Sequence, residues 1–271
     1  MMTIIEQTGY PLTSVSLAVK LRACGLKPGQ TVLVHMAMSK LGWVVGGAEA
    51  VIWAFLEILG ESGTLMMPTH TLDNSDPAEW ENPPVPQEWW QLIRDHTPAY
   101  NPHTTPSSNM GVVPELFRTW PGAVRSAHPA TSFAALGPNA EFLTANHPLK
   151  DETGEESPIG KLYELGGHVL LLGVTHWENT SLHLAEERAN YPGKSNHRTG
   201  SAMMVDNERR WVEYEVFKTG GDDFVELGQA YETANSLVVN QIAQAEVRFF
   251  EQRALIDFGV AWIEEHRRQA V

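Results

Sequence analysis

The chain has 271 residues, with 19 Lys and Arg against 33 Asp and Glu, so it carries a net charge of −14 with histidine neutral. That acidity excludes the clustered cations on which sequence-independent nucleic-acid binding relies, and it favours a cationic small molecule as partner. With 42% hydrophobic and 19% charged residues, and no apolar run near the ~18 residues of a membrane span, a soluble globular protein is expected.

The opening residues, MMTIIEQTGYPLTS, lack the basic start and long apolar stretch of a signal peptide, so a cytoplasmic location is expected. Helical spacing from Ser14 to Cys24 is closed by Gly25, Pro28 and Gly29. Cys24 is the single cysteine, which excludes a disulfide framework; at a helix end it reads as a packing thiol rather than a nucleophile. Thr31 to Val34 reads as a strand, His35 to Gly47 as a loop, Ala48 to Leu59 as an amphipathic helix and Thr64 to Met67 as a second buried strand. This strand–helix–strand unit calls for parallel strands with a right-handed crossover.

From Thr69 to Pro106 the texture changes. Closely spaced prolines forbid regular structure over most of the stretch, while Trp80, Trp89 and Trp90 argue against disorder. A long ordered loop of this kind is usually a binding element. A turn at Thr104 to Gly111 leads into a helix around Val113 to Arg118. Val169 to Val174 reads as a strand feeding a helix over Thr180 to Asn190. Ser201 to Phe217 alternates like antiparallel strands near a sheet edge, and Ala243 to Arg268 reads as mostly helical, broken or kinked at Gly259. With no repeat and no low-complexity linker, residues 1–271 are expected to form one α/β domain with a central mixed sheet flanked by helices.

Three stretches carry candidate chemistry. The loop His35 to Gly47 opens a helix with Gly46 and Gly47, where backbone N–H groups suit a phosphate, although it matches neither a Walker nor a GxGxxG pattern. A structural turn explains it equally well. The acidic run from Asp73 through Asp76, Glu79 and Glu81, with Trp80, begins where open α/β sheets bind ligands. It suits a polyamine or amino sugar; a calcium loop fails on ligand spacing, and a solvated acidic loop is the plain alternative. His183 follows the capping residues Asn179, Thr180 and Ser181, in the first turn of a helix, a good position for a general base with Glu186, Glu187 or a more distant carboxylate in support, although by residue type alone a lone histidine more often has a structural role. His176 lies seven residues earlier and no HExxH occurs, so no metal site is expected.

Taken in order, the motifs resemble the aminoglycoside 3-N-acetyltransferase family. The resemblance runs from Leu33 to Lys194 through HMAMSKLGWVVGG, MPTHT, TPSSNMG, RSAHP, GEESP, LLLGV and NTSLHLAE. It implies that family's fold and transfer of acetyl from acetyl-coenzyme A to the 3-amino group of a 2-deoxystreptamine ring, which confers antibiotic resistance. It also implies His183 as general base assisted by a carboxylate such as Glu186, with Thr71 beside the thioester. Coenzyme A would be held by His35, Ser39, Lys40, Leu41, Val45, Gly46 and Gly47, and by Pro106, Ser107 and Met110. Asp73, Asp76, Glu79, Trp80, Glu156 and His176 would face the drug. Such a protein would be a monomer or homodimer, with no nucleic-acid or membrane partner. An acyltransferase for another amine and a coenzyme A-binding thioester hydrolase are the alternatives.

Overall fold

In the computed structural model, which describes residues 4–6 and 8–269, the chain folds around a seven-stranded mixed sheet. In chain order the elements are α1 (Ser14–Ala23), β1 (Thr31–Met36), α2 (Gly47–Leu59), β2 (Thr64–Pro68), α3 (Trp90–His96), α4 (Val112–Phe117), β3 (Val124–Arg125) and β4 (Phe133–Leu136). They continue with α5 (Ala140–Thr144), α6 (Pro158–Glu164), β5 (His168–Leu172), α7 (Ser181–Arg188), β6 (Asn196–Val205) and β7 (Glu208–Phe217). The last are α8 (Phe224–Ala234), β8 (Asn240–Ile242), β9 (Ala245–Glu251) and α9 (Gln252–His266).

The sheet order is β3-β4-β2-β1-β5-β9-β8. The central β2, β1 and β5 are parallel, as the strand–helix–strand reading requires, and antiparallel partners flank them on both sides. Successive side chains on a strand face opposite ways, so each central strand feeds two cores. Val32, Val34, Leu65, Met67, Leu170 and Leu172 pack under α1, α2 and α4. Leu33, Met66, Val169 and Leu171 pack against α5 to α9 on the other face. Both faces are covered, which is why these strands read as unbroken apolar runs. Among the described residues no helix is long and apolar enough to cross a membrane.

Three expectations need correction. Residues 243–251 are not helical: β8 and β9 form a hairpin, and β9 pairs antiparallel with β5. The last helix starts at Gln252 and runs through Gly259 without a break. A Cβ there would stand 3.0 Å from the Ala185 Cβ, so Gly259 serves close packing of α9 on α7. The strands around Ser201 to Phe217 are antiparallel, as read, but they form a separate two-stranded ribbon rather than the edge of the main sheet. Asp206 and Asn207, both at positive φ, make the tight turn of that ribbon.

Candidate active site

The loops after β1, β2 and β5 converge at the carboxyl ends of the parallel strands, where the crevice of an open α/β sheet lies. His183 projects from the first turn of α7, against the Phe224 ring at 4.9 Å. Its Nδ1–H donates to Glu186 Oε2 at 3.1 Å, one helical turn on. Glu186 is fully buried, and its Oε1 accepts from the Gly220 amide at 2.7 Å. Burial alone would push this carboxyl up, but the hydrogen bonds from His183 and Arg267 outweigh it and hold the group below the ordinary range. An anion accepting from Nδ1 fixes the imidazole tautomer and leaves the Nε2 lone pair for a substrate proton.

His183 borders a cleft of about 700 Å³. Asp73, Glu79, Glu81 and Glu152 line it, and no Lys or Arg does so among the described residues. One wall is the loop after β2, from Leu72 to Val85. The opposite wall is the ribbon: cross-strand partners His197 and Val216, and Thr199 and Tyr214, share a face, and all four line the cleft. Asn74 fastens loop to ribbon by a two-point bond with the backbone of Ala202 (3.1 and 2.9 Å). Glu79 adds a bond from Thr199 (3.0 Å) and an ion pair with His197 (3.3 Å). Glu152 is pushed up to about 7 by burial and by the charges of Glu79 and Glu187.

Of the residues expected to face a cationic substrate, Asp73, Glu79 and Trp80 line the cleft, with Trp80 Nε1 donating to Ser75. Asp76 does not, because Arg94 takes both its oxygens (3.1 and 2.7 Å). His176 is also outside. It is buried, with Nε2 on Glu232 at 2.9 Å and Nδ1 accepting from Asn179, and its ring stacks on Phe250. Glu156 is exposed beyond the cleft lining.

The expected coenzyme A residues lie along the adjoining rim. His35 ends β1, buried and pushed down to about 3, with Nε2 3.4 Å from Thr180 Oγ1. Ser39 and Lys40 are exposed on the turn that follows, as is Val45 nearby, whereas Leu41 is sealed in the core and packs rather than offering a free surface. Gly46 and Gly47, at φ 83° and 60°, open α2. The Gly47 amide is taken by the Val44 carbonyl at 3.0 Å, and the amides that follow it in the first turn have no partner within the helix, a setting that suits a phosphate. Thr71 is buried and its hydroxyl accepts from Arg125 at 3.2 Å. Ser107 spends its amide and hydroxyl on Glu115 (both 2.7 Å), leaving Pro106 exposed and Met110 half-buried beside it. The Cys24 thiol is pushed up by burial, as suits a packing role.

Residue patterns alone missed Glu152, His70 and Arg125. His70 lines the cleft beside Phe133 and is pushed down to about 3 by burial and by neighbouring cations and histidines. Arg125 is buried over the Tyr100 ring and donates to Thr69, Thr71, Ser132 and the Pro102 and Thr105 carbonyls. It knits the loop after β2 to the Pro102–Thr105 turn. The sole sequence hint was a cation standing in a run of small polar residues.

A family model described as aminoglycoside 3-N-acetyltransferase matches residues 33–264. The chain is 43% identical over 263 residues to YokD of Bacillus subtilis, an SPbeta prophage-derived aminoglycoside N(3')-acetyltransferase-like protein, across 97% of this chain and 96% of that one. It is 38% identical over 278 residues to aminoglycoside N(3)-acetyltransferase VII of Streptomyces paromomycinus, covering 97% and 96% of the two chains. The crystal structure of YokD matches with a TM-score of 0.90 at 42% identity, over 94% of this chain and 100% of YokD. The binary complex of AAC-IIIb with CoASH matches with a TM-score of 0.85 at 32% identity, over 97% and 100%.

Proposed function

The chain belongs to the aminoglycoside 3-N-acetyltransferase family, and from that premise we propose that it transfers acetyl from acetyl-coenzyme A to the 3-amino group of a 2-deoxystreptamine aminoglycoside. What carries the reading is His183, paired to Glu186, at the border of a cleft lined by carboxylates and, among the described residues, by no Lys or Arg. Ammonium groups of a polycation match that lining, with Glu79, Asp73 and Glu152 as their partners. The rim from Ser39 to Gly47 and the turn from Pro106 to Met110 fit the cofactor's pantetheine and phosphates, with the helix start at Gly46 and Gly47 as the phosphate cradle.

Acetyl-coenzyme A supplies an acyl group already activated as a thioester, so no covalent enzyme intermediate is needed. An amine attacks only with its lone pair free, and aminoglycoside amines are largely protonated in water. Nε2 of His183 therefore accepts the amine proton as the nitrogen bonds to the acyl carbon, while the Glu186 carboxylate stabilises the positive charge that develops on the ring. The departing thiolate takes the proton held on His183 Nε2, and the other proton of the substrate ammonium passes to solvent, so the imidazole returns to its neutral starting form. Thr71, steadied by Arg125, supports the carbonyl oxygen. The whole chain acts as one domain in this reading, in the cytoplasm, where acetyl-coenzyme A is available, and the outcome for the cell is drug resistance.

The test is thiol release from acetyl-coenzyme A with a panel of aminoglycosides, followed by NMR of the product. Release that depends on the drug, with acetyl on the 3-nitrogen, is expected. Release without any amine would make the protein a thioester hydrolase, and acetyl on another amine alone would overturn the regiochemistry.

A further inference from the structure

The last turn of the described chain reaches the buried side of the His183–Glu186 pair. Arg267 follows α9 and lies over the Tyr191 ring, 4.9 Å from its centroid. Its Nη1 donates to Glu186 Oε1 at 2.6 Å. Its Nε and Nη2 grip the two oxygens of Asp223 at 2.8 and 2.6 Å. With the Gly220 amide on the same Oε1, that oxygen is fully engaged, and Oε2 alone turns to His183.

We propose that Arg267 is a positioning residue for acetyl transfer, holding Glu186 as an anion aimed at His183 while Asp223 fixes the guanidinium from the far side. The inference rests on His183 acting as the base. A carboxylate removed from water needs a cation, and His183 cannot be that cation while it waits, neutral, for a proton. Arg267 is the permanent counter-charge and the imidazolium a transient one. Glu186, Asp223 and Arg267 sum to one negative charge, which becomes zero when His183 takes the amine proton.

The other groups around the pair add little charge. His35 and His70, at the ends of β1 and β2, are kept neutral by burial. The Tyr191 phenol is pushed up by burial and stays protonated. Glu152 and Glu79 face the pair only across the open cleft. Removing the Arg267 cation therefore makes the last proton of the pair harder to lose, whichever atom carries it.

The experiment compares Arg267→Met and Arg267→Lys with the parent chain. One reading is the NMR titration of the His183 ring; the other is the pH profile of kcat/KM with gentamicin and acetyl-coenzyme A. In Arg267→Met both midpoints are expected to rise by about one pH unit, and Arg267→Lys is expected to recover most of the shift. A structural role alone would lower melting temperature and leave the midpoints in place. An unmoved His183 titration in Arg267→Met overturns the proposal. A His183 titration that moves while the rate profile does not upholds the coupling and sinks the base assignment instead. Should Arg267→Met fail to fold, Arg267→Gln decides the matter: it keeps a donor toward Glu186 without the charge, the His183 midpoint is expected to rise as in Arg267→Met, and a midpoint that stays overturns the proposal.

Discussion

In the proposed reaction His183 needs one ring nitrogen bare, and Glu186 accepts from the other, Nδ1. His183→Ala is therefore expected to keep its fold and its affinity for acetyl-coenzyme A while kcat falls by at least ~10². Circular dichroism, calorimetry and steady-state rates measure the three quantities. Near-normal turnover would end the base assignment. His176→Ala should behave in the opposite way, with a lower melting temperature but most turnover retained in the folded fraction, because both His176 nitrogens serve the interior. Glu152 offers a separate handle. With its carboxyl pushed up to about 7, it is half protonated near neutrality and must ionise to pair an ammonium. KM for the drug should fall as pH rises through that value, and Glu152→Gln should flatten this dependence. His183 was legible in the sequence because helix-start signals fixed its place. Glu152 was not: it stands among Asp151, Glu155 and Glu156, and only burial beside Glu79 and Glu187 sets it apart.

At the level of elements, the start of α2 makes the sharpest forecast. Gly46 sits at φ 83°, and a Cβ there would be 3.1 Å from the Ala50 Cβ. Gly46→Val should cost about 1–2 kcal/mol of stability through the left-handed backbone alone. In the folded fraction it should weaken acetyl-coenzyme A far more than the aminoglycoside, as calorimetry with each ligand would show. Equal losses would remove the cradle. The elements that carry this region were readable because β1 and β2 are short unbroken apolar runs on either side of the amphipathic α2. The carboxyl-terminal hairpin was not. In β9, Ala245, Val247 and Phe249 face one core with Glu246 and Arg248 between them, but this alternation is short and runs straight into the long helical pattern from Gln252, so pairing with β5 decides its form. The ribbon hid in another way: its alternation was plain, but its partner is a loop held through Asn74, which no local pattern announces.

Over the whole molecule, charge and buried imidazole govern the response to conditions. A polycation meeting an acidic cleft should bind less well in salt, with KM rising several-fold between roughly 50 and 500 mM while acetyl-coenzyme A responds differently. A KM indifferent to salt would exclude the cleft carboxylates as the recognition surface. Acid should unfold the protein early. His35 and His70 are pushed down to about 3 and His128 to about 4 by burial, from 6.5 in the open chain. Between those limits the unfolded chain binds protons that the native one refuses, so stability is complete above about 6.5 and drains away as pH falls toward 3 to 4. The urea midpoint should accordingly drop steadily from neutrality downward. The detached ribbon has a different kind of consequence. It supplies one wall of the cleft yet shares no strand pairing with the main sheet, which it joins through side chains such as Asn74 and Glu79. Under the proposed function, substitutions at His197, Thr199, Tyr214 or Val216 would redraw the shape offered to an aminoglycoside while leaving α7, which carries His183, in place. Under that reading, selection by a new antibiotic would act on a ribbon that stands apart from the strand pairing of the main sheet.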